Sequence, residues 1–248
     1  MTAAPSGESG RTGVILSAGF GSRLAGVDDD TVLKPLTPVA GTPLMLRTLR
    51  SLERAGCGTI AIVLGHGRED IEESTKRLYE GPATLEFAYN ADFHLGNGLS
   101  VLAAREHIDG PFVMTMADHI LCDEMMVLAR DYAPVPGGAA LLVDYKVETI
   151  FDMDDATKVL EREGRIASIG KALTEFNCID TGVFVCTTAL LEAIDEVYQA
   201  TGDASLSDGV QALASKGLMH TVDIGDGFWQ DIDTPEMLAH AETVLRGG

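Results

Sequence analysis

The chain is 248 residues long and 46% hydrophobic, enough apolar material for the core of one large α/β domain or two small ones, which excludes a disordered chain. Its 38 acidic residues against 18 basic ones give a formal net charge of −20. Such a surface repels nucleic acid and anionic membranes, so general polyanion binding is excluded; a small polyanionic ligand still fits where cations are concentrated locally or a metal supplies them.

Residues 1–11 are small and polar and read as a loose, disordered tail without the apolar core of a signal peptide. No later stretch is long enough to span a bilayer, so a cytoplasmic protein is expected. Apolar runs predict strands at Thr12–Ser17, Thr59–Leu64, Leu85–Tyr89, Phe112–Met116 and Ala139–Val143. Helical periods cover Pro43–Ala55, Glu69–Tyr79, Leu99–His107, Glu124–Asp131, Ala189–Ala200 and Pro235–Leu245. This alternation implies a Rossmann-like, mostly parallel sheet with helices on both faces. After about residue 145 the rhythm changes. "KVLEREGRIASIGKAL" reads as two strands turning at Glu163-Gly164, and "NCIDTGVFVC" as another strand. The expected organisation is one domain over 12–248, with a first half at 12–145 and a hairpin-rich second half at 146–248. Ligands of open α/β sheets bind beyond the carboxyl ends of the strands. That rule gathers Ser17–Arg23, Gly65–Arg68, Asn90–Ser100 and Ala117–Asp123 around one crevice.

The stretch "LSAGFGSRLAG" leads an apolar strand into a glycine-rich turn edged by Arg23. Backbone without side chains lets N–H groups approach an anion, and a following helix N-terminus adds partial positive charge. An ordinary strand-to-helix turn would also need those glycines. A dinucleotide fingerprint is excluded by Leu24 at the third glycine position, and a P-loop by the absence of a lysine after Gly26. The four cysteines, Cys57, Cys122, Cys178 and Cys186, form no CxxC pair and read as buried free thiols.

With "LKPLTPVAGTPLM", "MADH" and "WQDIDTPEML" downstream of "SAGFGSRL", the chain resembles the nucleotidyltransferases that activate sugar phosphates and related polyol or alkyl phosphates. The resemblance runs from about Gly13 to Leu245 and implies a GT-A-like fold. It implies that Ala18, Gly19, Gly21 and Ser22 offer backbone to the nucleotide, while Arg23 and Lys34 neutralise its phosphates, Arg23 as a fork-shaped double donor. Asp118, ending the strand "FVMTM", is expected to hold Mg²⁺. The second metal ligand in such enzymes comes from the C-terminal motif: Asp231 matches best. Asp233 is the reserve, expected mainly to cap the helix that follows. Asp28-Asp29-Asp30 reads as solvated.

A loop at His66 lines the base pocket in the resembling enzymes, though a plain turn also fits. The N-x-G-x-S pattern of Asn97, Gly98 and Ser100 resembles the cytidylyltransferases, which implies CTP. His119 touches ribose or acceptor, or simply packs against neighbours. Stretches around Lys158 and Lys171, with "DMDDATKV" and "IDTGVFVC", resemble the inositol-1-phosphate cytidylyltransferases. Lys158 and Lys171, two of only six lysines, would hold an acceptor phosphate or else solubilise a strand edge. Asp180 and Thr181 would bond acceptor hydroxyls, with Asp152, Asp154 and Asp155 as weaker candidates.

The resemblance implies an Mg²⁺-dependent enzyme that couples CTP to a polyol phosphate, inositol-1-phosphate first, and releases pyrophosphate. Its CDP-polyol would pass to a membrane or pathway transferase. Sugar-1-phosphate, phosphocholine and phosphonate nucleotidyltransferases are the alternatives, and a non-catalytic nucleotide sensor is the other class. Choline needs an aromatic cage, and Tyr145, Phe151, Phe176, Phe184, Tyr198, Phe228 and Trp229 read mostly as core-strand residues. No GxSxG supports a serine hydrolase. Oligomeric state, including a homodimer, stays open.

Overall fold

A computed structural model describes residues 10–19, 24 and 33–247. Strand β1 (Arg11–Ser17) carries Val14, Ile15 and Leu16 into the interior, as a strand covered on both faces must. The Arg11 guanidinium anchors its start by donating to the carbonyls of Ala129 and Tyr132. A single tight turn at Lys34–Leu36 and a small hairpin, β2 (Pro38–Val39) with β3 (Thr42–Pro43), lead into α1 (Leu44–Arg54). Then follow β4 (Cys57–Leu64), α2 (Arg68–Leu78), β5 (Thr84–Tyr89), α3 (Gly98–Ala103) and β6 (Phe112–Met116).

Strand β7 (His119–Leu121) precedes α4 (Asp123–Asp131) and β8 (Ala139–Asp144). The hairpin β9 (Lys158–Arg162) and β10 (Arg165–Gly170) precedes β11 (Cys178–Cys186), α5 (Ala189–Thr201) and α6 (Leu206–Ser215). The described chain closes with β12 (Met219–Asp223), β13 (Trp229–Asp231) and α7 (Pro235–Gly247).

Nine strands form one sheet in the order β5-β4-β1-β6-β11-β8-β12-β10-β9. The first four are mutually parallel, as the alternating pattern implies. Beyond β6 the sheet is mixed: β11 runs antiparallel to both β6 and β8, and β12 returns parallel to β8. One face is covered by α1, α2 and α4, whose Leu49, Leu52, Ile71 and Met126 pack with Ile15 and Ile62. The other is covered by α3, α5 and α6, whose Leu99, Ile194 and Val210 pack with Val14, Met114 and Phe184. A third, small cluster joins α7 through Ala241 to Val39, Ile120 and Ile232.

Three features depart from the sequence reading. The helix expected over Leu99–His107 ends at Ala103 and continues only as a single turn at Arg105–His107. The β7–β13 ribbon has three residues per strand, too few for a period to show, and β12 ("MHTVD") has only Met219 and Val222 as apolar residues, three apart and so off the strand alternation. Helix α6 did have a sequence signal: Ser205 and Asp208 form a reciprocal capping box at its start.

Candidate active site

The β1 turn and the β4 loop meet first. The His66 amide donates to the Ala18 carbonyl at 3.2 Å. A Cβ on Gly65 would stand 2.6 Å from that carbonyl and 2.8 Å from Phe93 Cβ, so only glycine lets the two loops lie together. Among the described residues, a Cβ on Gly19 would meet nothing within 4 Å. Gly21, Ser22 and Arg23, like Asp28-Asp29-Asp30, lie outside the described residues.

Lys34 comes from the turn after this segment and is buried. Its ammonium lies 2.6 Å from Asp118 Oδ2 and 2.5 Å from Asp233 Oδ1. Asp118 stands just beyond β6, where its backbone carbonyl accepts from the Ile232 amide at 2.9 Å. Its other oxygen, Oδ1, lies 2.7 Å from His119 Nδ1. Burial by itself would raise the Asp118 pKa, but Lys34 and His119 outweigh it and hold the carboxyl far below the usual range. Burial likewise works against the Lys34 charge, and Asp118 and Asp233 together reverse it, raising the pKa. Asp231 faces His119 across the ribbon. Burial raises its pKa, with Asp233 and Asp118 adding to the shift and His119 opposing it.

Asp233 is therefore corrected from helix cap to ion-pair partner. The capping contact falls to its neighbour: the Met237 amide donates to Thr234 Oγ1 at 3.3 Å. Among the described residues, no three His, Cys, Asp or Glu side chains come together as a metal site. Asp118 and Asp231 are hard oxygen donors that line one cleft. That donor set suits Mg²⁺, which is usually held by one or two carboxylates with substrate phosphates completing the shell.

Across the cleft stands the second-half wall. Lys171 Nζ pairs with Asp155 Oδ1 at 2.5 Å. Asp180 accepts from the Gly182 amide at 2.7 Å, and burial pushes its pKa up to about 6 against that bond and His119. Asn97, Asp118, Lys171, Asp180, Asp231 and Asp233 all line one cleft of about 250 Å³. Sequence motifs from both halves of the chain thus converge.

Other candidates are turned elsewhere. Thr181 Oγ1 is fully buried and donates to the Leu142 carbonyl at 2.8 Å. Lys158 is buried at the start of β9, with Nζ 3.4 Å from the Asp154 carbonyl. Asp152 Oδ1 accepts from the Asp155 amide at 3.3 Å. Ser100 accepts from Asn90 Nδ2 at 3.0 Å. Asn97 Oδ1 accepts from the Leu206 amide at 2.8 Å, and a Cβ on Gly98 would stand 2.6 Å from the Ala204 carbonyl. The N-x-G-x-S pattern therefore seats α3 against α6, with Asn97 also reaching the cleft.

A second chamber of about 320 Å³ shares Trp229 and Asp231 with the cleft. Phe151, Phe228, Trp229 and Asp152 line it, so these aromatics are not buried in core strands as the sequence suggested. Its floor is tied together by Asp144, which accepts from Trp229 Nε1 at 2.9 Å and pairs with Lys146 at 2.8 Å. Neither Asp144 nor Lys146 had a local motif to mark it.

The chain is 36% identical over 245 residues to the bifunctional IPC transferase and DIPP synthase of Rubrobacter xylanophilus, a match covering 96% of this chain and 53% of that protein. With the protein of the same name from Archaeoglobus fulgidus, identity is 32% over 237 residues, covering 94% and 43%. The chain thus spans about half the length of the curated relatives it matches. The solved inositol-1-phosphate CTP transferase of T. maritima superposes with a TM-score of 0.83 at 26% identity, covering 97% of this chain and 98% of that one. Among the described residues no helix is long and apolar enough to cross a membrane. Residues 13–143, more than half of the chain and the part carrying Lys34 and Asp118, match the family model, and the chain belongs to the MobA-like NTP transferase domain family, a nucleotidyltransferase.

Proposed function

We propose that this nucleotidyltransferase moves the cytidylyl group of CTP onto a polyol phosphate, with inositol-1-phosphate the favoured acceptor, in an Mg²⁺-dependent reaction. A phosphate oxygen of the acceptor attacks the α-phosphorus of CTP in line. The bond to the bridging oxygen breaks, and pyrophosphate departs with that electron pair. The acceptor phosphate is already a charged nucleophile, so positioning and charge neutralisation are the main requirements.

The observation that carries this reading is the buried Lys34 ammonium between Asp118 and Asp233, the two carboxylates that line the cleft. Lys34 would turn from these carboxylates to the triphosphate, joined by Arg23 and the Ala18–Gly19 backbone. Asp118 and Asp231 would hold the metal, which supplies further neutralisation of the phosphates when bound. Lys171 would bind the acceptor phosphate and Asp180 an acceptor hydroxyl. The names of the relatives and of the T. maritima structure support the choice of CTP and inositol phosphate.

The aromatic chamber favours one second reading. Phe151, Phe228 and Trp229 beside Asp152 and Asp231 would suit a quaternary ammonium, and hence phosphocholine. Pyrophosphate release measured for four nucleoside triphosphates against inositol-1-phosphate, glucose-1-phosphate, phosphocholine and an alkylphosphonate separates these. Fastest turnover with CTP and inositol-1-phosphate is expected. Much faster turnover of phosphocholine or glucose-1-phosphate overturns the acceptor assignment, and no turnover in any pairing favours a nucleotide sensor.

A further inference from the structure

His119 lines the cleft without a part in holding the phosphates or the acceptor, yet its surroundings are built around it. Its Nδ1 lies 2.7 Å from Asp118 Oδ1, and because the carboxylate can only accept, Nδ1 carries the proton. One face of the imidazole stacks on Trp229, with ring centroids 6.0 Å apart and planes inclined by 14°. Beyond its Nε2 edge stands Gly182, at φ +74°, where a Cβ would come within 2.6 Å of that nitrogen. Trp229 is itself fixed by its bond to Asp144. The ring is therefore clamped by strand β11 and the β13 tryptophan, with a directed hydrogen bond to Asp118.

We infer that His119 is a positioning residue: its Nδ1–H holds the Asp118 carboxylate so that one oxygen stays turned to Lys34 and the metal site. This rests on the proposed metal role of Asp118. Losing a hydrogen-bond partner of a metal ligand commonly weakens metal affinity or activity by 10–100-fold.

Three variants separate this role from packing. His119→Leu keeps much of the apolar volume but has no donor. His119→Asn keeps a donor at the δ position and loses volume, while His119→Gln carries its donor one atom further out. Each is titrated with MgCl₂ while Trp229 emission is recorded, since the chain has a single tryptophan and it touches this ring. Pyrophosphate release is then followed as a function of Mg²⁺.

The Leu and Gln variants should need roughly 10–100-fold more Mg²⁺ and lose kcat comparably, with KM for CTP and acceptor little changed. The Asn variant should recover to within about tenfold of wild type on the same scale. A Leu variant that outperforms Asn, equal Mg²⁺ midpoints throughout, or a wild-type emission that Mg²⁺ leaves unmoved overturns the inference. The emission titration needs no turnover. A failed acceptor screen beside a normal titration therefore sinks the acceptor assignment and leaves His119 in place.

Discussion

Lys34 and Asp118 stand 84 positions apart in the chain and 2.6 Å apart in space. A turn after β1 and the end of β6 supply them, and β1 and β6 are neighbours in the sheet. A buried pair of this kind adds little net stability over an apolar pair, but losing one partner is costly because the other stays buried and charged. Here two carboxylates would be left facing each other.

Lys34→Met should therefore destabilise the fold by about 3–5 kcal/mol at neutral pH, measured by chemical denaturation. The sign of its pH dependence follows from the same contacts. With Lys34 present, Asp118 has a depressed pKa, which contributes stability above the unfolded carboxylate pKa and loses it as pH falls through the folded one. Without Lys34 that contribution shrinks, so the deficit of the variant should narrow as pH falls below about 4. A deficit independent of pH would contradict the ion-pair account.

The carboxylates divide by role. Asp118→Asn should remove Mg²⁺-dependent turnover at a cost of several kcal/mol, roughly a thousandfold or more in kcat/KM. Asp231→Asn should raise the Mg²⁺ requirement, whereas Asp233→Asn should loosen Lys34 and act on the nucleotide instead. Mg²⁺ titrations of pyrophosphate release distinguish the last two; identical Mg²⁺ curves would remove the distinction.

Lys34 and Lys171 should fail differently. Lys34→Ala is expected to lower kcat with every acceptor, because it acts on the triphosphate. Lys171→Ala is expected to raise acceptor KM with a smaller change for CTP, since Lys171 stands with Asp155 on the opposite wall. Steady-state kinetics in both substrates tests this, and superimposable profiles would refute the division of the cleft.

Asp180, with its pKa raised to about 6, gives a pH signature of the opposite sense. The folded state binds its proton more tightly than the unfolded state, so its stability contribution is greatest below the unfolded pKa and declines as pH rises from about 4 to 6. Asp180→Asn should remove that decline and stabilise the protein at pH 7. The upper limit is roughly 3 kcal/mol, because the side chain keeps some solvent contact. Thermal denaturation of both proteins across pH 4–7 measures it; parallel curves would show that Asp180 titrates normally.

The sequence by itself determined most of the long elements and the separate chemical parts. Apolar runs placed β1, β4, β6 and β8 because a strand buried on both faces needs consecutive apolar residues, as "IAIVL" and "FVM" show, whereas β5 is an edge strand marked by Leu85, Phe87 and Tyr89 in alternation. Helical period placed α1, α2, α4, α5 and α7, and the motifs pointed to Lys34, Asp118, Asp231 and Lys171 as polar residues at element ends. Tertiary structure alone decided how they meet. Asp233 looked like a helix cap because Thr-Pro-Glu follows it; only the passage of Ile232 alongside Asp118 brings its carboxylate to Lys34. Ser100 and Thr181 looked like ligand groups, and packing turned their hydroxyls to Asn90 and Leu142. The ribbon of β7 and β13 has three residues per strand, too few for any period, and exists through its cross-strand pairing. That pairing is long-range, and it carries His119, Trp229 and Asp231 into one place. Local periodicity and turn chemistry are written in adjacent residues, while the meeting of distant polar groups depends on strand order and register.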